Sequence, residues 1–151
     1  MNDTLLLVHS VLRWAILLSA LWAVFRAWKG VSSNAPFAAA DNKAGLFFLI
    51  FMDLQLLIGL VVYFTSPLVT AARANMGAAM KDPALRFFSL EHVLLAVVAL
   101  VLVHIGRSKV KKAPTDAAKH KKALIFFGLA LLVLLLMIPW PFRAALGRGW
   151  I

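Results

Sequence analysis

The chain has 151 residues, 63% hydrophobic and only 15% charged, with sixteen Lys and Arg against six Asp and Glu and a formal net charge of +10. A soluble domain carries about a quarter charged residues, so this apolar excess points to one domain (1–151) in a bilayer. The absence of cysteine excludes disulfides, iron–sulfur clusters and thiol chemistry. Basic residues gathered between apolar runs speak for membrane orientation, not for nucleic acid.

Four apolar runs follow in chain order, at 4–28, 44–64, 88–106 and 123–140. Each is long enough, at ~1.5 Å per residue, to cross a ~30 Å hydrocarbon core. A span without water must satisfy its own backbone, so the expected fold is all-α, an integral membrane four-helix bundle. The first run reads poorly as a signal peptide, since it lacks a basic start and carries His9 and Arg13. Gly30 and the run Ser32-Ser33-Asn34-Ala35-Pro36 stop the first helix, and Asp41-Asn42 can cap the second. Ser66-Pro67 ends the second, and Pro139 and Pro141 close the fourth, which has no ionisable residue and reads as a packing helix. Ten basic residues (Arg26, Lys29, Lys43, Arg107, Lys109, Lys111, Lys112, Lys119, Lys121 and Lys122) fall at one end. Five (Arg73, Lys81, Arg86, Arg143 and Arg148) fall at the other. The imbalance predicts cytoplasmic loops at 29–43 and 107–122, with both termini and the 66–87 loop non-cytoplasmic.

Ionisable groups inside spans cost ~2.5–3.5 kcal/mol or more and need a reason. His9 and Arg13 lie in the first span, Asp53 with the amide of Gln55 in the second, and Glu91, His92 and His104 in the third. The first and third spans run in the same direction. His9 and His92 each sit four or five residues inside the same end, ~6–8 Å deep. Two imidazoles at matched depth on different helices suit a bis-histidine haem, with the porphyrin in the apolar gap. The plainer alternative is that each histidine hydrogen-bonds a neighbouring helix. Arg86 and Lys81, just before the third span, could pair with the propionates, or simply snorkel to lipid phosphate. Gly59 could admit a ring edge or mark close helix packing.

Arg13 lies one turn from His9 on the same face and requires a partner. Asp53 is the first candidate and Glu91 the second, either as a buried register pair or as a proton or quinone site. Gln55 cannot share a face with Asp53 but aligns with Gly59. His104 is twelve residues from His92, ~18 Å along the axis and ~120° around it, out of line for a second haem. For His104 and for His120 in the basic loop, interfacial hydrogen bonding is the expectation. Met76 and Met80 give a faint copper signal. There is no HExxH, CxxC, nucleotide loop or Ser/His/Asp arrangement.

The runs His9-Ser10-Val11-Leu12-Arg13-Trp14, Asp41-Asn42-Lys43, Asp53-Leu54-Gln55-Leu56-Leu57-Ile58-Gly59-Leu60, Arg86-Phe87, Glu91-His92, His104-Ile105-Gly106-Arg107-Ser108-Lys109 and Ile138-Pro139-Trp140-Pro141 resemble a family of short bacterial four-helix membrane proteins often labelled cytochrome b. The resemblance covers nearly the whole chain. It implies a haem b protein of the bacterial cytoplasmic membrane, with His9 and His92 at the ligand positions.

Two functions follow. One is a small b-type cytochrome moving electrons between a quinol or membrane dehydrogenase and an acceptor, as an electron-transfer component or quinone-linked reductase. The other is a cofactor-free transporter, channel or accessory subunit with a polar seam of Arg13, Asp53, Gln55, Glu91 and the histidines. The second would need a homo-oligomer to give alternating access any room.

Overall fold

A computed structural model describes residues 3–151. Four helical columns dominate it: α1 (Asp3–Ser33), α2 (Ala39–Thr65), a third column reaching Lys112, and a last helix (Asp116–Met137). Each column is long and apolar enough to cross a membrane. Among the described residues there is no strand.

The 66–87 segment, read as a loop, is largely helical. Pro67 opens α3 (Pro67–Ala74) where its missing N–H costs nothing. Two single turns follow, α4 (Met76–Ala79) and α5 (Pro83–Arg86), capped by the side chains of Asn75 and Asp82. The chain then passes through a π-helical turn, Phe87–Glu91, into α6 (His92–Lys112). Asp116–Met137 is α7.

Helix ends follow local chemistry. Asn34 takes φ 50° just beyond α1, and the Ala35 N–H donates back to the Gly30 carbonyl, a closure that left-handed residues permit. At the start of α2 the Asp41 carboxylate accepts the Ala38 N–H at 2.7 Å and also the Arg26 Nε at 2.7 Å. The basic segment expected as a loop is mostly helix: α6 runs on through Lys112, and only 113–115 connect it to α7. α7 ends at Met137, three residues short of the expected 140, because Pro139 cannot continue it.

The columns form a ring in which α1 neighbours α2 and α7, and α6 neighbours α7 and, more lightly, α2. α1 and α6 therefore face each other across the diagonal. In the half nearer residues 34–38 and 113–115, called the loop end here, the interior is closed by small residues and aromatics. Ala20, Ala23, Ala27, Ala44, Ala99, Ala123 and Ala130 surround Phe48 and Phe127, whose rings meet edge to face at 5.8 Å. Gly106 lets α7 approach so closely that a Cβ there would stand 2.6 Å from the Phe126 Cβ. The half holding the chain termini is packed differently.

Candidate functional site

Between the helices at the terminal end lies a cavity of about 460 Å³, inside the ~300–1,000 Å³ range of small-molecule and cofactor sites. α1 contributes His9, Ser10 and Arg13 to its wall; α2 contributes Gln55, Gly59 and Tyr63; α6 contributes His92. Much of the remaining lining is apolar, including Leu6, Leu56, Leu60, Val93 and Leu134.

His9 on α1 and His92 on α6 meet across the diagonal, ring centres 6.4 Å apart and planes at 62°. Both belong to the cavity wall. The spacing has a chemical meaning. Two imidazole nitrogens bound to one metal at ~2 Å each, on opposite sides, leave their ring centres roughly 6–6.5 Å apart.

The π-helical turn sets the direction of His92. It adds a residue to the turn just before the histidine and disturbs the regular backbone pairing; the Tyr63 hydroxyl donates to the Ser89 carbonyl there at 2.8 Å. His92 Nδ1 lies 3.2 Å from the Met137 carbonyl. A carbonyl only accepts, so Nδ1 carries the proton in this contact and Nε2 keeps the lone pair. Met137 is the last residue of α7, so the helix end forced by Pro139 also fixes the imidazole.

His9 is held from α2. The Gln55 amide donates to the His9 carbonyl at 3.0 Å and stands 3.4 Å from His9 Nε2. Gly59, one turn further along α2, leaves room for the ring: a Cβ there would come within 3.1 Å of His9 Cε1. Three buried polar atoms of this wall, His9 Nδ1, Gln55 Oε1 and Arg13 Nε, have no protein partner. A buried unpaired polar atom costs ~1–3 kcal/mol, so their concentration in one wall is notable.

The polar network expected around Arg13 does not form; its members divide into separate pairs. Arg13 donates to the carbonyls of Trp150 at 2.6 Å and Gly149 at 3.3 Å, joined by Trp14 Nε1 at 2.9 Å. Asp53 instead accepts from His104 Nε2 at 2.7 Å, because the rotation of α2 turns Gln55 inward and Asp53 outward. Glu91 is paired with Arg86 at 2.6 Å. Arg86 also donates to the Met80 carbonyl, and neither Arg86 nor Lys81 belongs to the cavity wall. The basic residues that do are Arg13 and Arg148.

Arg148 was not legible as a site residue. The C-terminal segment folds back so that Arg148 lies over the Phe88 ring at 4.4 Å, and Trp14, Trp140 and Trp150 cluster with ring centres 6.2–6.3 Å apart. The three tryptophans are far apart in the chain, and only the fold unites them.

His104 is bound to Asp53 rather than to loop or lipid. His120 is buried inside α7 against Gly30, with Nε2 3.1 Å from the Ala35 carbonyl; it is a packing residue at the loop end. Among the described residues no group of three or more His, Cys, Asp or Glu could hold a metal ion, so a metal here depends on the histidine pair. Met76 is exposed in the α3–α5 segment. Compared with known protein families, curated proteins and solved structures, the chain has no significant match.

Proposed function

We propose that this protein binds one haem b between His9 and His92 and serves electron transfer in the bacterial cytoplasmic membrane. In this reading loops 29–43 and 107–122 are cytoplasmic and the haem lies near the outer face. The observation that carries it is the 6.4 Å separation of the two imidazoles across a cavity of about 460 Å³. The unpaired polar atoms of His9, Gln55 and Arg13 in the same wall support it.

Bound there, haem would supply one-electron chemistry, with His9 and His92 as the residues that would hold its iron. The protein's part is orientation and exclusion of water. Met137 holds the His92 tautomer and Gln55 holds the His9 segment. Backbone partners of this kind commonly orient metal-bound histidines. Leu6, Leu56, Leu60 and Leu134 keep the interior dry. Arg148 and Arg13 are the cations placed to meet carboxylates, a role the sequence had suggested for Arg86 and Lys81.

The test is an absorption spectrum of protein purified from haem-replete cells, oxidised and then dithionite-reduced. A Soret band and sharp reduced bands are expected, abolished in His9→Ala and His92→Ala. A colourless, folded protein would end this reading. Arg13 is held by backbone carbonyls, Asp53 by His104 and Glu91 by Arg86, an arrangement that supports no continuous polar path of the kind a transporter or channel would need.

A further inference from the structure

The Asp53–His104 pair has no place in the cavity: neither residue lines it. Their side chains are 42% and 48% exposed, on the outer surface of the bundle where α2 and α6 meet. Asp53 lies near the middle of α2, about ten residues, ~15 Å, from either end of its apolar stretch. In a bilayer this surface faces hydrocarbon. An imidazole and a carboxylate bonded only to each other leave a carboxylate oxygen and a ring nitrogen with no partner that lipid tails can supply. Polar groups at such depth normally face protein or water.

The surroundings favour a helical partner over a small ligand. Neither residue belongs to the cavity, and exposed apolar side chains flank the pair along both helices. On α2, Leu46, Ile50, Asp53 and Leu57 follow each other at steps of four, three and four. On α6, Leu94, Val97, Val101, His104 and Ser108 follow at steps of three, four, three and four. All the apolar members are exposed. That is the spacing of a seam that packs against another helix at a shallow angle, and one polar member per seam fixes register.

The pair also carries its own complement. It presents an acceptor on α2 and an imidazole on α6, so a two-fold axis through this face would set each Asp53 beside the other copy's His104, as a self-complementary interface requires. We infer that the α2–α6 face is a homodimer interface of this protein in the membrane, centred on Asp53 and His104. The inference does not depend on haem.

The chain has no cysteine, so single cysteines report cleanly. Ile50→Cys, Leu57→Cys and Val101→Cys flank the pair. Leu18→Cys on α1 and Leu136→Cys on α7, at positions 67% and 62% exposed, are controls. Because the axis sets α2 of one copy against α6 of the other, disulfide-linked dimers are expected under oxidation in native membranes when a Leu57→Cys copy and a Val101→Cys copy are co-expressed, and not from the controls. Combining the flanking cysteines with Asp53→Leu and His104→Leu, which face outward and leave the core intact, should weaken dimerisation about tenfold. Three results would overturn the proposal: no crosslinking, equal crosslinking of the controls, or crosslinking undiminished in the double-leucine background. The second would indicate random collision, and the third an interface that does not use the pair.

Discussion

The two halves of this bundle are built from the same four helices and pack in opposite ways. At the loop end alanines and glycines bring backbones close, Phe48 and Phe127 fill the centre, Arg26 is tied to Asp41 and Arg107 to Asn42, and His120 Nδ1 is the one buried polar atom there without a protein partner among the described residues. At the terminal end leucines surround a cavity of about 460 Å³, and three buried polar atoms of its wall lack protein partners. A chain that closes its interior so fully at one end has the residues to do so at the other. The difference teaches that small residues and aromatics close one half of the interior, while larger aliphatics leave a polar-walled space in the other.

The sharpest way to break that comparison is to exchange histidines between the halves. His92→Ala should remove the haem spectrum entirely, whereas His120→Ala should retain the band while lowering stability by ~2 kcal/mol through lost packing against Gly30. If both variants lose colour together, the histidines are not distinguished as argued.

Packing deletions come next. Phe127→Ala in the closed half should lower unfolding stability by ~3–5 kcal/mol. Leu56→Ala, which already borders open space, should lose markedly less; denaturation in detergent would compare the two, and equal losses would contradict a half-open interior.

Adding atoms sharpens the contrast further. Gly106→Val drives a side chain into Phe126 and should cost ~1–3 kcal/mol. Gly59→Val enters the cavity beside His9; it should reduce haem per protein severalfold and leave thermal stability of the colourless fraction nearly unchanged. The smallest expected effect is Arg13→Met. It frees the C-terminal segment from two carbonyl contacts and should speed its proteolysis by a few-fold, read as the rate of loss of a C-terminal tag.

How much of this was legible depends on the range of the forces involved. Four spans follow from apolar length, and the ends of α1 and α7 fall near Asn34 and Pro139, whose preferences act within a few residues; α2 begins earlier than the expected Asp41-Asn42 cap, with Ala38 as its N-cap and Asp41 inside its first turn. The matched depth of His9 and His92 was legible because helical rise is fixed. Helix rotation was not: the hydrophobic pattern of a membrane helix, apolar on nearly every side, does not mark its inward face. For that reason Asp53 was assigned to Arg13 although α2 turns it outward to His104, and Arg86 was assigned to the cavity although Glu91 holds it. Gln55 and Gly59 were aligned correctly relative to each other, since four residues on one helix share a face whatever the rotation.

The amino-acid sequence alone determined that this is a bundle of four apolar helices with polar exceptions at particular depths, because rise per residue and transfer energy are local quantities. Tertiary structure decided which exceptions meet. The diagonal pairing of α1 with α6, the extra residue of the π-helical turn before His92, and the fold-back that brings Arg148 to the cavity and Trp150 to Arg13 are set by contacts between segments as many as 137 residues apart. No local propensity encodes such contacts.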